Sequence, residues 1–418
     1  MHPRLFATVL SFAVFSGMVT VQAEEGAGLR SERTSSFLMV LGKSPVLVAA
    51  QQRSVAAKER LGSAGRLADV QVEGMASRMV GPDDMRAQMW ELSVSQPLPR
   101  KGERAADRQR AKAALQMSLA DYALMSGELA ADVSMVLAEA EGAEARIRLL
   151  KAQLERLRVV LRSLEVRLAA GSDARLAEHL TVQTRMASMQ LMIEEEARMA
   201  ADALSEARGR LGLDPTSPLP AFVAPLSSEI LPSDSAAVRL GEARSAEADA
   251  MLSMARASSR PMSSLGVRYE RERNAMGDND TLGLAFMSEL PWRSQRYARQ
   301  DIRAAQAERA AAFSEKTAAA YRISSVLNRV ERAQAFAQSS RRLSSETRAR
   351  VDAEYEALLR SASVGSSMSQ SAILELVELL EKATETELRA LRAETSAQVA
   401  RAELWRHAPV SNFQLQLD

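Results

Sequence analysis

The sequence predicts a mainly α protein with a β-barrel part, in which one unit of two barrel strands and a long coiled-coil helical hairpin is used twice. Three observations carry this. Residues 100–214 and 292–408 contain no proline, and because proline costs about 3 kcal/mol or more inside a helix, tracts of that length are where long helices belong. Within the first tract, apolar residues recur every seven positions. Ahead of each tract stand two stretches of alternating side chains separated by a polar turn.

The first 23 residues, MHPRLFATVLSFAVFSGMVTVQA, carry Arg4, an apolar run from Leu5 to Val19 and small residues at Val21 and Ala23. That order reads as a signal peptide cleaved after Ala23; a run this short is a poor membrane span. The cysteine count of 0 excludes disulfides, a zinc-thiolate site and a lipidated cysteine at the cleavage point. No later stretch offers ~18 unbroken apolar residues, so any crossing of a membrane must be made by strands.

A helix over about 44–66 leads to the first strand pair, about 67–80 and 87–96, with Gly-Pro-Asp-Asp between them. In the second of these strands Trp90, Leu92 and Val94 point one way and Glu91, Ser93 and Ser95 the other. One apolar face and one small or polar face are the signature of a barrel strand between lipid and water, with a surface hairpin of a soluble domain as the alternative. Pro97 and Pro99 should end the strand at Gln96, since proline cannot donate to a ladder, and a helix should follow from Lys101 to Leu168. Its seam is Leu115, Tyr122, Leu129, Val136, Ala143, Leu150, Leu157 and Leu164, interleaved with Leu119, Ser126, Val133, Ala140, Ile147, Leu154, Leu161 and Leu168. Only Ser126 breaks an apolar pattern sustained this long, which argues a coiled coil roughly 100 Å in length. Gly171, Ser172 and Asp173 then form the tip, glycine closing one helix and a small polar residue opening the next. A shorter return arm runs to Leu211.

The second half repeats the plan. A Pro-rich connector over 212–233 leads to a helix near 235–260 and then a strand pair within about 262–290. There Leu265, Val267 and Tyr269 alternate, residues 276–280 read as a turn, and Leu282, Leu284 and Phe286 alternate with Gly283, Ala285 and Met287. Pro291 lies 194 residues after Pro97, and Gly365 lies 194 after Gly171. A strand-ending proline and a tip glycine that keep one offset across a long helix mark a duplication. The second seam keeps Ile323, Leu327, Val330, Ala337, Val351, Tyr355 and Leu358 but places Arg341 and Arg348 at matching positions. The expected organisation is a signal peptide over 1–23, repeats over 24–211 and 234–406 joined by the connector, and a tail over 407–418.

Catalytic and ligand-binding constellations are sparse. Lys+Arg 54 against Asp+Glu 53 are interleaved without like-charge blocks, which argues solvated helix faces and no nucleic acid. His179 and His407 are the only histidines after the signal peptide, too few for a metal set or a Ser-His-Asp site. Met186, Met189, Met192 and Met199 have helical spacing that suits packing better than copper(I) binding. No phosphate-cradling glycine loop is present, so the expectation is no enzyme, no cofactor and no resident metal.

The Ser44-Pro45-Val46-Leu47 start of the first helix, the WELSVSQPLPRKGER junction, the Gly171-Ser172-Asp173 tip, the RLGLDP segment after the return arm and the echoes MSELPW and SVGSS resemble the outer-membrane efflux protein family. These are the TolC-like channels, and the resemblance leans toward the heavy-metal efflux (CzcC-like) branch. It implies four strands per chain in a twelve-stranded barrel completed by a homotrimer in outer-membrane lipid, with helices crossing the periplasm. It also implies a periplasmic adaptor (a membrane fusion protein), an inner-membrane pump of the RND type, and passive conduction gated at the helix tips. Carried onto this chain, the adaptor-contacting tips are Gly171, Ser172, Val364, Gly365 and Ser366, and the strand-to-helix junctions are Pro97, Pro99, Pro291 and Trp292. The acidic gate falls on Asp173, Glu178, Glu375 and Glu378, although family acids stand just beyond the tip glycine and here SSMSQS comes first. Heavy-metal cations are the expected cargo; drug efflux or a type I protein secretion duct is the alternative, and a soluble periplasmic coiled-coil adaptor or scaffold is the rival class.

Overall fold

A computed structural model of the chain describes residues 32–80, 86–169, 176–225, 230–274, 277–289, 294–363 and 370–413. The order is α1 (32–42), α2 (Pro45–Ser63), β1 (Gln71–Val80), β2 (Arg86–Leu98), α3 (Glu103–Ala169), α4 (Leu176–Leu211), α5 (Ala236–Ser258), β3 (Met262–Asn274), β4 (Gly277–Glu289), α6 (Ser294–Ser363) and α7 (Gln370–Ala402), with short 3-10 turns near the C-terminus. The two hairpins match closely: α3 has 67 residues and α4 36, α6 has 70 and α7 33. The chain forms two compact units, and each draws on both halves of the sequence. One takes the described residues of Ala50–Tyr122 and Ala236–Tyr321, the other those of Met1–Ala49, Ala123–Ser235 and Arg322–Gln414. This division cuts across the sequence repeats, because α3 and α6 each contribute a stretch to both units.

In the first unit a four-stranded antiparallel sheet has the order β1-β2-β3-β4, so the two strand pairs of the sequence join through β2 and β3. Two boundaries differ from the sequence expectation. β2 continues through Pro97 to Leu98, with Pro97 opposite Ser264. It can do so because β1 pairs only as far as Ser95, so at Pro97 β2 is an edge strand and one side needs no donor. The ladder of β3 and β4 runs to Asn274 opposite Gly277, so Asp278, Asn279 and Asp280 are ladder residues where a turn was expected. Their acids bond across the sheet: Asp278 meets Arg271 at 2.8 Å and Arg273 at 3.1 Å, and the Tyr269 hydroxyl donates to Asp280 at 3.0 Å. A cluster that looks like turn chemistry is therefore a charged sheet end.

Polar contacts join the helices of this unit. Gly65 has φ 68°, in the left-handed region, and its N–H donates to Asp107 at 2.6 Å while its carbonyl accepts from Arg104 at 2.7 Å. A Cβ there would stand 2.9 Å from the Arg104 carbonyl oxygen, so the chain leaves α2 and meets the start of α3 through a position that suits only glycine. Arg260, just after α5, donates to the Lys101 carbonyl at 2.6 Å. Between α5 and α6, Lys316 bonds Glu242 at 2.9 Å and Arg309 bonds Asp249 at 2.9 Å.

The second unit is built around α3 from Ala123 onward. Seam residues Val133, Val136, Ala140, Ala143, Leu150, Leu154, Leu157 and Leu164 are buried as expected, and so is Ser126. Burial extends beyond a seam, however, since Ala123, Ala130, Ala131, Ser134, Leu137 and Ala138 are also inside. Small side chains let other segments close on the helix from several sides. Trp405 is 1% exposed, its Nε1–H donates to the Val223 carbonyl at 2.9 Å, and its ring lies 5.7 Å from that of Phe37 and 6.0 Å from that of Phe413. The Ser134 hydroxyl donates to the same Val223 carbonyl at 3.0 Å, which ties the connector to the helix. Phe37 and Leu41 reach this core from α1, a helix not expected from the sequence.

Candidate functional site

The sheet has two chemically distinct faces, set by strand alternation and register. Register places Val72, Val94, Val267 and Leu284 in one row and Gly74, Leu92, Tyr269 and Leu282 in the next. Trp90, Leu265 and Phe286 belong to the same face. Leu282, Leu284 and Phe286 are 75%, 86% and 69% exposed, so this apolar face is bare in the single chain. The opposite face is polar and acidic: Glu73, Glu91, Glu270 and Glu272 share it with Arg268, together with Ser93, Thr281 and Met75. Arg268 reaches Glu91 at 2.9 Å and Glu270 at 3.3 Å. Glu91 and Glu270 stand directly opposite, a pairing that like charges disfavour and a shared guanidinium relieves. Strands β1 and β4 each have one sheet neighbour among the described residues, leaving two edges whose backbone groups need a partner in any lipid setting.

At the far part of the hairpins, Leu154, Leu157, Val160 and Leu164 of α3 pack with Val182 and Met189 of α4, Val351 of α6, and Leu376, Val377 and Leu380 of α7. Met186 and Met192 pack against this cluster, which fits the packing reading of the methionines, whereas Met199 is 43% exposed. Beside the cluster, polar side chains link three helices. Arg156 of α3 meets Asp352 of α6 at 2.8 Å, and Arg348 of α6 approaches Asp352 at 3.5 Å and Glu387 of α7 at 3.7 Å. Arg156 also lies 5.9 Å from the ring centroid of Tyr355. Burial pushes the Glu387 carboxyl above its ordinary range, partly offset by Arg348 and Arg156. Arg341, the other arginine at a seam position, pairs with Glu394 of α7. The interrupted second seam is thus read structurally as arginines extending to carboxylates. Sequence reasoning noticed the arginines and missed Glu387 and Asp352, which have no spacing signal of their own.

Of the expected gate acids, Glu178 is buried at 5% exposure, Glu375 is exposed, and Glu378 pairs with Lys382 one turn on, at 3.0 Å. Asp173 and the tip residues Gly171, Ser172, Val364, Gly365 and Ser366 lie outside the described residues, as do Pro291 and Trp292. Pro97 is buried at the end of β2, and Pro99 stands between β2 and α3. His179 sits 3.7 Å from Glu165, and His407 is held below its ordinary pKa by burial. No group of three or more His, Cys, Asp or Glu side chains is arranged to hold a metal among the described residues, and no described helix is long and apolar enough to cross a membrane.

Residues 39–207 match the outer membrane efflux protein family. No curated protein matches the sequence. Among solved structures, the outer-membrane channel OprN superposes with a TM-score of 0.69 at 16% identity, covering 90% of this chain and 89% of its own. VceC, an outer membrane protein of Vibrio cholerae, gives 0.69 at 14% identity over 90% and 96%. The open state of the MtrE outer membrane channel of Neisseria gonorrhoeae gives 0.66 at 18% identity over 90% and 88%. These identities speak for the fold. Over residues 39–207 the chain carries the sequence pattern of the outer membrane efflux protein family, and over nine-tenths of its length it has the fold of these outer-membrane channels.

Proposed function

We propose that three copies of this chain form an outer-membrane channel that passively conducts cargo delivered by a periplasmic adaptor and an inner-membrane pump, of the RND type, with heavy-metal cations as the cargo. The observation that carries the channel is the sheet: four strands with a bare apolar face, an acidic opposite face and two open edges. A closed barrel is the arrangement that satisfies such edges in lipid, and four strands are too few to close one alone. The chemistry to be done is conduction, so the chain needs pore shape and charge and no acid-base pair. The excess of glutamates on the polar face supports cations over anions as the conducted species. Gating belongs to the hairpin tips, with Glu178, Glu375 and Glu378 the described acids of the expected gate.

Three measurements test this. Purified protein in planar bilayers should give stable unit conductances, and fractionation should recover it with the outer membrane; protein found only in soluble periplasm and without conductance would return it to the adaptor or scaffold class. A deletion strain challenged in parallel with metal salts and organic drugs should lose metal tolerance. Drug hypersensitivity with metal tolerance intact would replace the cargo while keeping the channel.

A further inference from the structure

Among α3, α4 and α7 lies a cavity of about 190 Å³. Its walls are apolar where Leu157, Met189, Val377 and Leu380 meet, and Gln153 of α3 lines it as well. Gln153 is 3% exposed, and its Oε1 has no hydrogen-bond partner. A buried carbonyl without a donor costs roughly 1–3 kcal/mol, so a buried acceptor beside a space of this size calls for a donor to fill it. The neighbouring Thr384 hydroxyl cannot serve, because it donates to the Leu380 carbonyl at 2.6 Å. At the mouth, Arg185 and Glu381 are paired at 2.5 Å, so the rim carries no unpaired charge from these two residues to draw in an ion.

We propose that this cavity is a binding site for a small amphipathic organic molecule, an apolar ring of one or two cycles carrying a single N–H or O–H that donates to Gln153 Oε1. An apolar cavity of about 150 Å³ already admits benzene, so the volume is sufficient for a ring plus its polar atom. The thioethers of Met189 and Met192 give the wall the adaptability that suits ring edges and faces. Because the walls come from three helices, an occupant would hold α4 against α3 and α7 beside the Arg156–Asp352–Arg348–Glu387 network. The proposal does not depend on the conduction reading, since binding is measured without any ion flow.

The test titrates the purified full-length protein in lipid nanodiscs with indole and with 1-methylindole by calorimetry, using empty nanodiscs as the reference. Indole carries the N–H and 1-methylindole lacks it. Indole should bind about fivefold more tightly, the scale of one net hydrogen bond. Gln153→Leu should abolish that difference, and Ser188→Phe, at an exposed position on the cavity wall, should abolish binding of both without disturbing a buried contact. No binding beyond the empty nanodiscs, equal affinity for the two probes, or binding that survives Ser188→Phe would each overturn the proposal. Uptake of copper(I) without uptake of indole would overturn it too, by making the methionines a metal site.

Discussion

Glu387 is 8% exposed on α7 and faces Arg156 of α3 and both Arg348 and Asp352 of α6. Burial raises its pKa, the arginines lower it by less, and Asp352 raises it further. For a carboxyl whose folded pKa lies above its unfolded value, the folded state binds the proton more tightly. Its contribution to stability is therefore full below the unfolded pKa and is lost as pH rises through the raised folded one. Mild acidification should accordingly tighten the packing of α3, α6 and α7 at this level, and Glu387→Gln should flatten that response. Thermal melts of the two proteins between neutral and mildly acidic pH check this: the wild type should gain stability relative to the variant on acidification. An unchanged difference across the range would show that Glu387 is already ionised and satisfied. Nothing in the sequence around Glu387 singles it out from the exposed glutamates of the same helix, because its special status comes from residues 231 and 39 positions away that only folding brings together.

Helix α3 shows how a small residue decides packing between elements. A Cβ on Gly127 would stand 2.6 Å from the Trp405 carbonyl oxygen, while a Cβ on Gly209 of α4 would meet nothing within 4 Å. Replacing a mid-helix glycine by alanine gains about 1 kcal/mol of helix propensity, but overpacking against fixed backbone costs about 1–3 kcal/mol. Gly127→Ala should therefore destabilise the protein and Gly209→Ala should stabilise it by up to about 1 kcal/mol, read by denaturant melts under one set of conditions. A stabilising Gly127→Ala would mean that the 403–407 turn can retreat from α3. The contrast also marks what was legible beforehand. The heptads from Val133 to Leu164 announced α3 and its seam, and the prolines announced where the long helices begin, since both are local signals of period or backbone chemistry. The burial of Ala130, Ala131 and Ala138 off the seam was not legible, because alanine fits exposed and buried helix positions alike. Helix α1 was missed for a related reason: it has only three turns and owes its burial to Trp405, some 370 residues away. The acids at 278–280 misled because a polar run beside glycine is the signature of a turn, and only the register with Arg271 and Arg273 reveals a ladder.

At the scale of the whole molecule, the polar face of the sheet carries Glu73, Glu91, Glu270 and Glu272 against Arg268. Arg268 already serves two of these glutamates, so it softens their repulsion without cancelling the charge of the face. In a barrel of three such sheets the same excess appears three times around one lumen. Charges of one sign inside low-dielectric walls raise the local concentration of the opposite ion, and the effect grows as salt falls because screening weakens. Channels reconstituted in a bilayer under a potassium chloride gradient should therefore show a cation-selective reversal potential, larger at low salt. Glu91→Gln combined with Glu270→Gln and Glu272→Gln should shift that potential toward the anion side, since Arg268 then faces only Glu73 and Glu289, while unit conductance events persist because no apolar-face or ladder group has changed. Selectivity unaffected by the triple substitution would place the discriminating charge elsewhere, with Glu178, Glu375 and Glu378 near the tips next to be neutralised, and an anion-selective wild type would remove the support that the sheet gives to cation cargo.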